Sequence, residues 1–494
     1  VKLSEFLRAQ AVRQPDRAAV VCAGQRVTFA GLDEAVDRVA AGLADIGLGT
    51  GSRVVLCLPN GVEFVYAFLA ACRLGALTVP ANTRLTDSEI SYIIADSEAD
   101  LVITTADRWT TLGGELARPV PVVTAFENLL RTAPRRLPEP PVDADDCAIC
   151  YTSGTTGRPK GAVLTQANYI TAHGFLNAIL WRLGPDDRTL VTTPIAHRTG
   201  LARIVNMVCQ GTTVVIMPKF DAGEAARLIG EEQITVLGMV PTVGRMLIES
   251  IEAEPDRFRS LRVVLGTGEA FPPALADRIE AALPGAGVHA FFAMTEVGQV
   301  AALDPADRHR HEGSVGRPLP GLELRLLDET GEPVEPGQPG EVVVRSGRPG
   351  QFLVMRGYHN RPDAALTDGW FATGDVGRID ADGFLYLVDR KKDMIVSGGY
   401  NIYSREVEDA IRELPGVADV AVVGVPDPQY GESVVSFIQL APGAGLDQDA
   451  VVEHCRKRLA GYKKPREVIF VDELPRNSTG KLLKRELRKM AVPS

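Results

Sequence analysis

The chain has 494 residues, 45% of them hydrophobic and 23% charged, with a formal net charge of −10. That length predicts two to four structural units around a large buried core. The acidic balance argues against nucleic acid or an anionic membrane as the main partner. Seven cysteines, scattered and odd in number, fit buried thiols in a reducing, cytoplasmic setting rather than a disulfide framework.

From the N-terminus, Lys2, Glu5 and Arg8 interrupt any signal-peptide core. Strands are predicted over 54–58 and 101–104, with a helix over 61–74. The longest apolar stretch, 64–79, carries Arg73 and Gly75 and stops at Pro80. It is too short and too interrupted for a transmembrane segment and reads as a buried helix running into a strand. Cys147-Ala148-Ile149-Cys150 has the C-x-x-C form without a second pair, so it reads as buried strand. Strands at 214–217, 236–238, 263–266 and 288–292 alternate with helices at 222–232, 241–252 and 272–282. Such alternation predicts an α/β fold with parallel sheets covered on both faces. From about 321 short strands take over (322–327, 341–345, 384–388), a β-rich subdomain to about 391. Residues 392–494 then alternate strand and helix as a small α+β domain, leaving 1–391 as the N-terminal domain.

The densest chemical signal is Tyr151-Thr152-Ser153-Gly154-Thr155-Thr156-Gly157-Arg158-Pro159-Lys160-Gly161, between strand-like stretches at 147–152 and 162–164. Glycines permit close backbone approach to an anion, hydroxyls add donors, and Lys160 adds a point charge suited to phosphate. It is not a Walker P-loop, because Pro159 and Gly161 stand where that pattern needs other residues. Thr-Thr-Gly alone would read as a hairpin turn.

Four further clusters carry chemistry. Met294-Thr295-Glu296 ends a strand, where α/β sheets place ligands and where Glu296 suits Mg²⁺; alone, the same residues read as a helix cap. Trp370-Phe371-Ala372-Thr373-Gly374-Asp375 places a carboxylate in a glycine turn. Asp389-Arg390-Lys391-Lys392-Asp393 reads alone as a solvated charge run. Pro475-Arg476-Asn477-Ser478-Thr479-Gly480-Lys481 delivers one lysine on a loop ahead of a basic helix over 482–490.

These five motifs, in this order, resemble the adenylate-forming superfamily of acyl-CoA synthetases, carrier-loading adenylation domains and beetle luciferases. The stretch from Asp389 through Ser397-Gly398-Gly399-Tyr400-Asn401-Ile402-Tyr403 is most similar to the acyl-CoA synthetase branch. The resemblance implies ATP-dependent activation of a carboxylic acid as an acyl-adenylate with pyrophosphate release. Acyl transfer to a thiol, usually that of coenzyme A, then releases AMP. It also implies that the loop from Thr152 to Lys160 cradles the phosphates and that Glu296 holds Mg²⁺. Gly268, Glu269, Ala270 and Phe292 would sandwich adenine, Thr295 would reach the α-phosphate, Asp375 and Arg390 would hold the ribose, and Asn401 would approach AMP. Lys481 would bridge the carboxylate and α-phosphate. Lys392 would be the hinge of a mobile C-terminal domain, whose rotation brings Gly398 and Gly399 to a pantetheine tunnel.

By the same resemblance His197, Gly238, Val240, Gly266, Thr267, Phe291, Ala293 and Met294 line the acyl pocket, with His197 as a gate. An apolar aryl, alicyclic or medium-chain acid is expected; whether Arg198 or Arg203 turns a cation towards a second carboxylate stays open at this point. Phe292-Ala293 stands in place of Tyr-Gly, Phe291 adds bulk, and Ser404 replaces a frequent proline. The acceptor stays open between coenzyme A and a carrier, expected to be a separate protein because thirteen residues follow Lys481. Release of the adenylate itself, a homodimer, and a nucleotide-binding scaffold without catalysis are the remaining alternatives.

Overall fold

The computed structural model describes residues 2–116, 118–141, 145–152, 158–266, 271–361, 366–476 and 482–491. The chain forms two compact units, one of Val1–Glu323 with Val344–Phe371, the other of Leu324–Val343 with Ala372–Ser494. Lys392 lies inside the second unit.

The first unit carries two large sheets. One has nine strands in the order Arg317–Pro318, Gly298–Leu303, Gly287–Met294, Val263–Gly266, Val236–Met239, Arg188–Val191, Thr213–Ile216, Ala18–Cys22 and Gln25–Thr28. Its central strands are parallel, and antiparallel partners close both edges. The other has seven strands, in which Asp146–Thr152, Leu77–Pro80, Arg53–Cys57, Leu101–Thr104 and Val122–Val123 run parallel. The α/β expectation therefore holds.

The apolar stretch at 64–79 is the predicted helix and strand, Val62–Leu74 then Leu77–Pro80. All but one residue of the helix is buried, as an all-round apolar helix demands. Burying Phe64 and Phe68 contributes roughly 1.5–3 kcal/mol each. Arg73 is tolerated there because Asp33 and Asp37 pair with it at 2.5 and 2.6 Å. No helix among the described residues is long and apolar enough to cross a membrane. Cys147 and Cys150 are buried in the strand Asp146–Thr152, and burial pushes both thiols up.

In the second unit the strands Val417–Asp427 and Gly431–Leu440 form a long antiparallel pair, with Glu467–Val471 parallel to the latter. Their alternation buries both faces. Val420, Val422, Val434 and Ile438 pack with Val407 and Ile411, while Ala421, Val423, Val435 and Phe437 pack with Leu474 and Leu487. The strand Trp370–Ile379 runs antiparallel to Leu385–Arg390 in the β-rich stretch.

Three local readings need correction. Thr295-Glu296 is not a helix cap, because Gly287–Met294 turns straight into antiparallel Gly298–Leu303. Gly374-Asp375 is not a turn but lies within the strand Trp370–Ile379, with Gly374 at φ +72°. The charges at 389–393 are only in part a solvated run: Lys391 and Lys392 are exposed, but Arg390 pairs with Asp375, Lys391 with Glu341 and Arg488 with Asp393, at 2.7, 2.7 and 2.9 Å. The final helix is Lys484–Ala491, two residues later than expected. The helix Arg198–Gln210 was not foreseen, because Arg198, Arg203 and Asn206 break its apolar periodicity and yet are buried.

Candidate active site

In the first unit the site grows from strand ends of both large sheets. Thr152 closes one strand and pairs across the ladder with Lys160, which opens the next. The loop between them therefore joins two antiparallel strands, as the plain hairpin reading also required. Ser153, Gly154, Thr155, Thr156 and Gly157 lie outside the described residues, as do Thr267, Gly268, Glu269, Ala270 and Lys481.

A carboxylate distinguishes this hairpin from an ordinary one. Glu296 is buried, and its Oε1 accepts from Thr152 Oγ1 at 3.3 Å and from the Tyr358 hydroxyl at 2.7 Å. Lys160 Nζ lies 5.3 Å from the centre of the Tyr358 ring. Tyr358 arrives on a two-residue strand paired with Ala162, next to the Lys160 strand. Burial, then the Glu296 charge, raises its phenol far above the usual range, so it remains a donor at neutral pH. Among the described residues no hydrogen bond reaches Glu296 Oε2, which leaves a hard oxygen ligand suited to Mg²⁺.

The strand Gly287–Met294 delivers Glu296 through a register shift between Phe292 and Ala293. Such bulges re-aim the residues that follow. Arg198, buried at the start of its helix, donates to the carbonyls of Thr295 and Val297 and so brackets Glu296. Gly298 is required here, since at φ +85° an added Cβ would lie 2.7 Å from Arg198 Nη2.

The expected acyl-pocket residues are dispersed along the carboxyl ends of parallel strands. Gly238 faces open space, whereas a Cβ on Gly266 would meet Phe271 at 2.8 Å. Val240 packs with Phe271 against the core, and Ala293 is exposed. Phe291 turns towards Trp181, ring centres 6.0 Å apart, while Phe292 is buried. His197 sits at the N-terminus of the helix Arg198–Gln210, and burial lowers its pKa, so it is neutral at pH 7. Ala196, next to His197, lines a cleft of about 60 Å³ with Asn60, Asn82 and Phe220.

In the second unit Asp375 and Arg390 face each other across antiparallel strands, Nε to Oδ1 2.7 Å. Asn401 is exposed and donates to Glu329 at 3.1 Å. Gly398 and Gly399, at φ +59° and +81°, form the two-residue turn between Ile395–Ser397 and Tyr400–Ile402. Both central positions of such a turn require positive φ. Ser404, 0% exposed, donates its backbone N–H to Asp389 and its hydroxyl to the same carboxylate at 3.1 Å, while Lys484 donates to Ser404 at 2.7 Å.

Sequence reasoning missed a cleft of about 490 Å³ lined by Gly461, Tyr462, Lys464 and Arg466. Tyr400 stacks on Tyr462 with ring centres 4.5 Å apart, and Arg466 lies 3.9 Å from the Tyr430 ring centre. The basic run Lys463-Lys464-Pro465-Arg466 was the available signal. Tyr358 as a partner of Glu296, and Arg198 as a clamp on carbonyls, were also missed, because neither direction is written in the local pattern.

The first unit thus presents a buried carboxylate held by Thr152 and Tyr358, and the second an Asp375–Arg390 pair on adjacent strands. Residues 7–359 match the profile of the AMP-binding enzyme family, and 406–481 that of the AMP-binding enzyme C-terminal domain. The chain belongs to the AMP-binding enzyme family, within the adenylate-forming superfamily. It is 39% identical over 490 residues to a feruloyl-CoA synthase of an Amycolatopsis species, covering 96% of each chain. It is 37% identical over 485 residues to a long-chain-fatty-acid–CoA ligase of Mycobacterium tuberculosis, covering 94% of this chain and 93% of that one. Its fold matches O-succinylbenzoate coenzyme A synthetase of Bacillus subtilis, in complex with ATP and magnesium ion, with a TM-score of 0.87, 30% identity and coverage of 98% and 99%.

Proposed function

We propose that this chain is an AMP-forming acid–CoA ligase. It joins a carboxylic acid to ATP as an acyl-adenylate, releasing pyrophosphate, and then passes the acyl group to coenzyme A, releasing AMP. The observation that carries this reading is Glu296, buried, with one oxygen accepting from Thr152 and Tyr358 and the other without a hydrogen bond among the described residues, while Lys160 lies against the Tyr358 ring. Similarity to acid–CoA ligases along nearly the whole chain supports it.

On this reading Glu296 holds Mg²⁺, which when bound neutralises phosphate charge. Thr152, Lys160 and the glycine-rich loop hold the phosphates, and Thr295 meets the α-phosphate. A carboxylate attacking a polyanion needs such charge neutralisation and a fixed line of approach. Phe292 and residues 268–270 take the adenine, Asp375 and Arg390 the ribose, and Asn401 the AMP. Lys481 serves adenylation, Lys392 is the hinge, and Gly398-Gly399 line the thiol path. His197, Gly238, Val240, Gly266, Thr267, Phe291, Ala293 and Met294 are the acyl-pocket residues of this proposal. A reducing cytoplasmic setting belongs to it, supported by the free cysteines.

The second reading replaces coenzyme A by a carrier protein. The cleft of Tyr462, Lys464 and Arg466, with Tyr400 stacked against it, favours coenzyme A. Stacked rings and cations suit a phosphorylated adenine nucleotide, which coenzyme A carries and a carrier's phosphopantetheine lacks.

The test is acid-dependent ATP–pyrophosphate exchange over a graded acid panel, followed by mass detection of acyl-CoA. Exchange with thioester formation supports the ligase. Exchange without any thioester leaves an adenylate-forming enzyme, and no exchange with any acid overturns the reading. Lys481→Ala is expected to lose exchange by at least ~100-fold while still converting supplied acyl-adenylate.

A further inference from the structure

We propose that the acid this chain activates carries a second oxygen acceptor, a carboxylate or a phenolic oxygen, remote from its reacting carboxyl and received by Arg203. This rests on the acid-activating reading above.

Arg203 lies on the helix Arg198–Gln210 with 7% of its surface exposed. Its guanidinium stands 5.1 Å from the Trp181 ring centre, and its hydrogen bond goes to Asn206 Oδ1 at 3.2 Å. Among the described residues no carboxylate pairs with it. The chain's other deeply buried arginines are provided for: Arg73 has Asp33 and Asp37, Arg308 has Asp277 and Glu280, and Arg198 has the carbonyls of Thr295 and Val297. A buried guanidinium without an anion is costly, and arginine does not escape the cost by losing its proton. Burial lowers Arg203 only to about 10, so it is a cation at neutral pH.

The surroundings say which kind of anion fits. His173 is held neutral by burial and by the charges of Arg198 and Arg203, so it offers no compensation. Trp181 packs with Leu183, Val236, Val263 and Leu265, and with Phe291 at 6.0 Å. The guanidinium lies over the indole, and of its five N–H donors one reaches Asn206. An apolar wall beside a planar cation that has no carboxylate partner among the described residues matches an acid with an apolar body and a terminal oxygen acceptor. The strand Gly287–Met294, which carries Phe291 against Trp181, also leads to Thr295 and Glu296, so one element joins the surroundings of Arg203 to the reacting end. The apolar-acid expectation is thereby narrowed rather than replaced.

The experiment compares matched acids by exchange kinetics: cinnamic against 4-hydroxycinnamic and 4-carboxycinnamic acid, and straight-chain monoacids against α,ω-diacids of six to ten carbons. Wild type is expected to favour the acceptor-bearing member of at least one pair by roughly 10- to 1000-fold in kcat/KM, the range for a site whose buried donor would otherwise go unpaired. Arg203→Met should bring that ratio to within about threefold. Arg203→Lys should recover part of it for carboxylates, since charge is kept and the planar fork is lost. A wild-type ratio near one for every pair overturns the proposal whether or not the variants fold. A ratio that survives in folded Arg203→Met also overturns it. Absence of exchange with every acid overturns the ligase reading itself, which is a distinguishable result.

Discussion

The Tyr358 hydroxyl donates to Glu296 Oε1 across 2.7 Å, from a residue 62 positions further along the chain. A second tie lies beside it, since the Met355 N–H donates to the Glu296 carbonyl at 2.7 Å. Together they hold both the backbone and the carboxylate of Glu296. Hydrogen bonds to charged groups contribute about 1.5–3 kcal/mol. Tyr358→Phe is therefore expected to reduce pyrophosphate exchange by roughly 10- to 100-fold and to raise the Mg²⁺ concentration needed for half-maximal rate. Exchange measured against graded Mg²⁺ checks this, and an unchanged Mg²⁺ dependence would remove Tyr358 from the metal's support.

Ser404 explains its own departure from the frequent proline. It opens the helix Ser404–Arg412, a first-turn position that proline tolerates conformationally. Here, however, its backbone N–H and hydroxyl both donate to Asp389, and Lys484 donates to that hydroxyl. Ser404→Pro should destabilise the protein by about 1–3 kcal/mol, the cost of leaving a buried acceptor short of donors. Ser404→Ala, which keeps the N–H, should cost less. Thermal denaturation of the two variants side by side decides the order.

The Tyr462 cleft predicts a split between the half-reactions. Charge reversal in Lys464→Glu with Arg466→Glu should raise the KM for coenzyme A at least ~10-fold while pyrophosphate exchange stays within about twofold, since phosphate contacts depend on these charges. Pantetheine, which lacks the nucleotide, should be insensitive to the change. If coenzyme A and pantetheine respond alike, the cleft does not receive the nucleotide.

Four histidines, His173, His197, His289 and His359, have pKa values lowered, burial being the largest cause for each. Below the unfolded value near 6.5, the unfolded chain binds protons that the folded chain refuses. Stability must then rise with pH across this window, by up to ~1.4 kcal/mol per pH unit for each such group. The loss on acidification should begin below about pH 6.5, above the range where carboxylates such as Asp187 protonate. Urea midpoints between pH 5 and 7.5 test it, and His173→Gln should flatten the slope. A flat profile in wild type would contradict the burial of these rings.

Much of this protein was legible from the chain alone. Alternation of short apolar strands with helices determined the α/β class, because a parallel sheet buried on both faces needs continuous apolar runs and covering helices. Motif order and residue type likewise carried the resemblance to adenylate-forming enzymes, because phosphate, ribose and Mg²⁺ chemistry each demand particular side chains. The helix and strand at 64–79 followed from apolar length and Pro80.

Tertiary structure alone decided direction and partnership. Thr295-Glu296 proved a hairpin rather than a cap because Gly298–Leu303 supplied an antiparallel partner that no local signal announces. Arg198 and Arg203 stand five positions apart on one helix, yet one is spent on backbone carbonyls and the other stacks on Trp181 without a carboxylate among the described residues. Tyr358 reaches Glu296 only because of its register opposite Ala162. Local propensity encodes which elements form, whereas the atoms a side chain meets depend on register and packing between residues far apart in the chain, and a shift of one residue would turn each strand's side chains to the opposite face.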